Sequence, residues 1–290
     1  MALQDTPDTK PIQAGVIGWP AGHSLSPRLH GFWLQQYGIN GTYEAIEVRP
    51  EDCHDFIRGL AEQGMAGVNV TVPHKEMACN AVDRLDANAK RLGAVNTIVV
   101  QPDGTLAGSN TDGFGFMENL KTGAPGWAPG SNPAVVLGAG GAARAVVAAL
   151  LDAGVSELRL CNRTRTRADT LAADIGGDIG GAITVVDWAE RSGALAGAGL
   201  LVNTTTLGMT GKPPLEIDLG PLPITALVND IVYTPLMTPL LEQAKNRGNA
   251  IVDGIGMLLH QARPGFRQWF GVDADVTDAL KAHVLAGLDQ

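Results

Sequence analysis

The stretch Ala134-Val135-Val136-Leu137-Gly138-Ala139-Gly140-Gly141-Ala142-Ala143 decides the fold. Its four leading apolar residues read as a short strand buried on both faces, as in a parallel sheet. A glycine-rich turn follows, then an apolar helix running to Leu151. This is G-x-G-x-x-A in the strand–turn–helix setting that gives the pattern its meaning. Gly138 allows the tight turn, Gly140 lets the backbone approach a pyrophosphate, and Ala143 keeps helix and sheet close. The helix start adds free N–H groups and a positive dipole end.

The next strand ends at Asn162-Arg163-Thr164. An NAD site usually carries an acid there for the ribose 2′-hydroxyl. This chain instead carries Arg163, then Arg165 and Arg167. A bidentate cation suits a 2′-phosphate, so NADP is expected over NAD. The bland alternative is a helix start decorated with solvated arginines. Downstream, strands expected at 134–137, 157–161, 183–186, 200–204, 226–232 and 250–252 alternate with alanine-rich helices. That is the rhythm of a doubly wound parallel sheet.

Upstream, the Gly/Pro-rich residues 123–133 look like a boundary loop. Before it, strands are expected at 14–18, 42–48, 67–72, 93–100 and 105–108. A helix is expected over 26–37, with Ser26 as its cap and Pro27 in its first turn. Another is expected over about 50–63, and a third after Pro73. Along 67–72, Val68, Val70 and Val72 face one way, and Asn69 and Thr71 the other. Residues 254–290 are helical in character. They are expected to return to the first domain, because the second sheet is already complete. Residues 176–181 read as a surface loop.

The composition narrows the function. Of 290 residues, 45% are hydrophobic and 18% charged, enough for a large core. A net charge of −9 argues against a surface that coats nucleic acid. Cys53, Cys79 and Cys161 lie far apart and fit neither a disulfide framework nor a metal site. Free thiols in a reducing, cytoplasmic compartment are expected. No metal-ligand spacing is visible. No apolar run reaches the roughly 18 residues of a membrane span. The polar, acidic start is unlike a signal peptide.

A polar cluster precedes the boundary loop. Ser24 and Ser26 stand at a helix start, where two hydroxyls and the dipole suit a carboxylate, though Ser26 as a simple cap is the plainer reading. Asn69 and Thr71 share a strand face, and Lys75 sits in the first turn of the following helix. A single lysine is usually a surface residue. Asn96 lies in the expected strand 93–100. Asp112 follows Asn110-Thr111 at a helix start, where a capping acid is common. Were the fold to unite Lys75 and Asp112, the carboxylate would hold an ammonium able to pass a proton to a substrate oxygen.

With these motifs the chain resembles the shikimate dehydrogenase family. The resemblance rests on Ser24-Leu25-Ser26-Pro27, Asn69-Val70-Thr71-Val72-Pro73-His74-Lys75, Gly93-Ala94-Val95-Asn96-Thr97 and Asn110-Thr111-Asp112-Gly113. It extends through the glycine turn, Asn162-Arg163-Thr164 with Arg167, Asp230 to Tyr233, and Asp253-Gly254-Ile255-Gly256-Met257 as far as Gln261. It implies an α/β fold of two domains. An N-terminal α/β substrate domain, 12–112 with 257–290, would join a Rossmann NADP domain, 113–256, with residues 1–11 as a loose tail.

Carried over, Ser24 and Ser26 would hold the substrate carboxylate, assisted by Thr71, with Tyr233 nearby. Asn69, Asn96, Asp112 and Gln261 would bind ring hydroxyls. Lys75 would be the acid/base, paired with Asp112. Gly138, Ala139, Gly140, Gly141, Ala142, Asn162, Arg163, Thr164, Arg165 and Arg167 would bind NADP. Ile231, Gly254 and Met257 would border the nicotinamide. The implied reaction is NADPH-dependent reduction of 3-dehydroshikimate to shikimate in aromatic amino-acid biosynthesis. Leu25 departs from the lysine often found between the two serines.

Two other readings stand beside this one. A quinate/shikimate dehydrogenase using NAD would differ only in pocket shape and cofactor. A cofactor-sensing regulator could keep the fold without catalysis, but it would have no use for Lys75 and Asp112. The expected partners are a small-molecule substrate and no nucleic acid or membrane. A homodimer is compatible with the sequence, which does not itself set the oligomeric state.

Overall fold

The computed structural model describes residues 10–130, 132–176 and 182–288. The expected tail up to residue 9 and the expected loop at 177–181 lie outside these. The chain divides into two compact units, Met1–Asn110 with Ala262–Gln290, and Thr111–Gln261.

The first unit begins β1 (Ile12–Gly18), α1 (Ser26–Gln36), β2 (Gly41–Glu47), α2 (Cys53–Arg58), β3 (Met65–Val70) and α3 (Lys75–Ala81). It continues with β4 (Arg84–Leu85), α4 (Ala87–Leu92), β5 (Thr97–Val100) and β6 (Leu106–Ser109). The sheet order is β2-β1-β3-β5-β6-β4. β1 is parallel to β2 and β3, while β5 runs antiparallel to β3 and β6. Ile17, Val68, Val70 and Ile98 of the sheet pack with Ile57, Leu60 and Ala78 into one apolar cluster.

Several expectations need correction here. The helix expected over 50–63 is a 3₁₀ turn, Pro50–Asp52, followed by the short α2, which Gly59 closes. α1 is preceded by Leu25 as its cap residue, and Ser26 is its first helical residue. The Ser24 hydroxyl, one step upstream, accepts the Ser26 N–H at 3.2 Å. β3 stops at Val70, and Val72 is 67% exposed rather than sharing the buried face of Val68 and Val70. The Thr71 carbonyl accepts the His74 N–H, turning the chain out of the sheet before Pro73 can follow. The strand expected from residue 93 starts only at Thr97, because α4 occupies the approach. Asp86 caps α4 by accepting the Ala89 N–H, and Gly93 ends it in the left-handed region.

The second unit runs α5 (Asp112–Gly123), β7 (Ala134–Leu137), α6 (Gly141–Asp152), β8 (Glu157–Asn162), α7 (Arg165–Gly176) and β9 (Ala182–Asp187). Then come β10 (Leu200–Asn203), β11 (Leu227–Asp230), α8 (Pro239–Arg247) and β12 (Ala250–Val252). All neighbouring strands are parallel, in the order β12-β11-β10-β7-β8-β9. This is the expected doubly wound sheet. Val135, Leu137, Leu201 and Val228 are completely buried, as strands covered on both faces must be.

The unit border falls inside α9 (Ile255–Phe270), and α10 (Asp278–Leu285) follows. From Ala262 onward the C-terminal helices belong to the first unit. There Trp33 and Phe266 are fully buried with ring centroids 5.0 Å apart, and the Trp269 indole donates to the Ile98 carbonyl at 3.0 Å. Cys53 and Cys161 are buried free thiols and Cys79 is half-buried. No helix among the described residues is long and apolar enough to cross a membrane.

Candidate functional site

In the second unit the chain order reverses between β7 and β10, which flank the glycine turn. Ligands of doubly wound sheets sit at such a point. Gly138 has φ +112°, a conformation that L side chains rarely adopt, and a side chain there would press on the Thr204 hydroxyl. Gly140 begins α6 without any side-chain cap. Around Gly140 and Gly141 a side chain would meet nothing within 4 Å. The uncapped helix start thus faces open space, which fits a pyrophosphate. Ala139 and Ala142 lie in the same turn.

After β8, the Asn162 amide donates to the Thr164 carbonyl at 2.7 Å and fixes the turn. The three arginines that follow are not equivalent. Arg165 is held by Asp187 at 2.6 Å, with Asp169 at 3.8 Å. Arg163 and Arg167 are exposed and form no ion pair among the described residues. Arg163 and Arg167 are thus open to a phosphate, whereas Arg165 carries an exposed ion pair.

The remaining second-unit candidates gather where α5 meets α9. Thr111 donates its hydroxyl to the Gln261 carbonyl at 2.9 Å. A side chain at Gly115 would collide with the Met257 carbonyl and with Gln261, so the helices cross in close contact. This brings Asp112, Gln261 and Met257 onto neighbouring turns. Asp112 is buried, with 3% exposure. Gly254 backs directly onto the Ile231 carbonyl. Tyr233 is half-buried, and burial pushes its phenol up.

Just before Ile231 lies a network that the sequence reading missed. Asp230 accepts from the Asn203 amide at 3.0 Å, the Val232 N–H at 3.0 Å and the Thr238 hydroxyl at 2.8 Å. Asn203 in turn accepts from the Thr205 hydroxyl at 2.7 Å. Burial outweighs these donors and pushes the Asp230 carboxyl up to about 6.

In the first unit, Ser24 and Ser26 lie half-buried at the start of α1. Asn69 projects from β3, and Thr71 follows the strand. Asn96 sits one residue before β5 and is 4% exposed. The Asn69 amide donates to the Asn96 carbonyl at 3.0 Å and to the Thr97 hydroxyl at 3.1 Å. That hydroxyl donates onward to the Asn96 side-chain oxygen at 3.0 Å. Lys75 is the first residue of α3, and its carbonyl accepts the Val95 N–H at 2.8 Å. His74 anchors the same turn by bonding the Val48 carbonyl at 2.7 Å. Lys75 belongs to the first unit and Asp112 to the second.

The sequence reading also passed over Tyr43 and His30. Tyr43 donates to the Asn69 side-chain oxygen at 2.6 Å. His30 stacks on Tyr43 with centroids 3.8 Å apart. The signal was faint: His30 follows Ser26 by one helical turn, and Tyr43 alternates inward on β2.

Comparisons with known proteins show which family the chain resembles. Three family models match: the shikimate dehydrogenase substrate binding domain over 16–98, shikimate / quinate 5-dehydrogenase over 129–205, and the shikimate 5′-dehydrogenase C-terminal domain over 254–282. The chain is 63% identical over 273 residues to the shikimate dehydrogenase (NADP(+)) of Paramagnetospirillum magneticum, covering 94% of this chain and 98% of the relative. The structure of Thermus thermophilus shikimate 5-dehydrogenase in complex with NADP(H) and shikimate matches with a TM-score of 0.83 and 36% identity. It covers 95% of this chain and 99% of that one. Quinate dehydrogenase from Corynebacterium glutamicum in complex with NAD matches with a TM-score of 0.89 and 31% identity, covering 95% and 99%.

Proposed function

The chain belongs to the shikimate dehydrogenase family, and on that premise we propose how its residues carry out the reversible NADPH-dependent reduction of 3-dehydroshikimate to shikimate. The reaction serves aromatic amino-acid biosynthesis. One observation carries the reading: near-full-length identity to relatives named for NADP(+) and shikimate. The open, uncapped glycine turn and the two uncommitted arginines fit the cofactor.

When bound, NADPH supplies the hydride for the C3 carbonyl. The chain's own groups bind, orient and handle the proton. Gly138, Ala139, Gly140, Gly141 and Ala142 line the pyrophosphate through backbone N–H groups. Arg163 and Arg167 hold the 2′-phosphate. Arg165, tied to Asp187, shapes the start of α7, with Asn162 and Thr164 ordering the turn. Ile231, Gly254 and Met257 border the nicotinamide.

Ser24 and Ser26 take the substrate carboxylate at the start of α1, assisted by Thr71, with Tyr233 nearby. Asn69, Asn96, Asp112 and Gln261 take the ring hydroxyls. Lys75 passes a proton between its amine and the C3 oxygen, with Asp112 as the carboxylate that works with it. Positioned proton transfer of this kind contributes about 10²–10⁴-fold. A cytoplasmic location and a homodimer belong to the same reading.

Initial rates with shikimate plus NADP⁺, set against quinate plus NAD⁺, test it. The first pair is expected to turn over faster. A faster second pair reassigns the enzyme to quinate, and turnover with neither points to a sensor.

A further inference from the structure

Asn69 is held in one orientation by three bonds. Its two N–H groups are spent on the Asn96 carbonyl and the Thr97 hydroxyl. Its oxygen accepts from the Tyr43 hydroxyl at 2.6 Å. An amide oxygen has two acceptor sites, so one remains. Toward a ligand, Asn69 can then only accept.

The clamp itself is rigid. Tyr43 is 7% exposed, and His30 lies flat against it at 7° between ring planes. His30 is fully buried, and neither ring nitrogen makes a hydrogen bond of normal geometry, although Asn69 lies near enough to offset part of its burial. Trp33, Phe266 and Trp269 enclose it with ring centroids 5.7 to 5.8 Å away. Burial holds His30 near a pKa of about 3, so the ring stays neutral across the working range. Burial likewise raises the Tyr43 phenol, which keeps its proton as the donor to Asn69.

We infer that Tyr43 is a positioning residue for substrate recognition: the Asn96 carbonyl and the Thr97 hydroxyl take the amide's N–H groups, and Tyr43 anchors the Asn69 oxygen to which a substrate ring hydroxyl donates. The inference rests on the proposed role of Asn69 in binding ring hydroxyls. Without the Tyr43 hydroxyl the Asn69 oxygen loses one of the three bonds that hold its amide, and its grip on a donating hydroxyl weakens.

Steady-state kinetics of the full chain test this through a double-mutant cycle. Tyr43→Phe keeps the ring and the stack. It is expected to raise the KM for shikimate by about 2- to 12-fold, the worth of one hydrogen bond. kcat and the KM for NADP⁺ should stay near wild type, which a generally loosened fold would not spare. Asn69→Ala should raise the same KM by at least as much, and the double variant should match Asn69→Ala alone. Additive effects, or an unchanged KM in Tyr43→Phe beside a raised one in Asn69→Ala, would overturn the clamp. An unchanged KM in Asn69→Ala would instead remove Asn69 from the site.

The direction of the bond is checked with shikimate analogues altered at a non-reacting ring hydroxyl. Fluorine accepts but does not donate. At one position, the fluoro analogue is expected to bind as weakly as the deoxy analogue, and Asn69→Ala should remove the advantage of shikimate over both there. Fluoro analogues that all bind like shikimate would contradict the assignment.

Discussion

The binding surfaces proposed for the two units draw on different parts of the chain. The second relies on backbone: a glycine turn at φ +112°, an uncapped helix start and open space beside it. The first relies on side chains, with Tyr43, Asn69, Thr97 and Asn96 passing hydrogen bonds from one to the next. A backbone site tolerates changes in its neighbours as long as the turn survives. A side-chain site depends on each member's orientation. Its weak point is a single lost hydroxyl.

The sharpest test of the contrast lies in the first unit. Lys75→Ala is expected to lower kcat by about 10²–10⁴-fold. NADP⁺ affinity, read by fluorescence titration, should be unchanged because the cofactor surface is carried elsewhere. Near-normal turnover would remove Lys75 from the chemistry.

The buried titratable groups oppose each other as well. Burial holds His30 of the first unit at about 3, below its ordinary 6.5. The unfolded chain takes that proton first, so stability is lost as pH falls below about 6.5. Burial raises Asp230 of the second unit to about 6 from 3.8. Here the folded state keeps a proton that the unfolded chain releases, so stability is lost as pH rises from about 4 through about 6. Keeping this carboxyl ionised at neutral pH costs about 3 kcal/mol. Asp230→Asn should therefore flatten the fall in Tm between about pH 4 and about pH 7. A melting profile parallel to wild type would show that the carboxylate is better solvated than its burial suggests.

A smaller effect separates the arginines. Arg163→Asp is expected to shift the NADPH-to-NADH preference by about 10- to 100-fold, the worth of a charged hydrogen bond. Arg165→Ala should leave the ratio near wild type, because its guanidinium is committed to Asp187. Equal effects in the two variants would erase the distinction.

Much of the second unit could be read from the sequence. Its strands are continuous apolar runs, and its binding turn is written in glycines, whose special backbone needs only glycine meets. The first unit was harder. Asp86 and Gly93 mark the ends of α4, but its six residues are too few to show a period. Alternation puts Val72 inside, whereas Pro73 and the turn at Thr71 expose it.

The sequence by itself determined the α/β class, the doubly wound sheet, the dinucleotide turn and the polar residues of the first unit. These follow from local rules of periodicity, turn geometry and residue chemistry. Only the tertiary structure decided that Asp187 pairs with Arg165, that Asp230 is buried in a network, and that Tyr43 donates to Asn69. Each depends on side chains more than twenty residues apart in the chain, and no local rule records which of them meet.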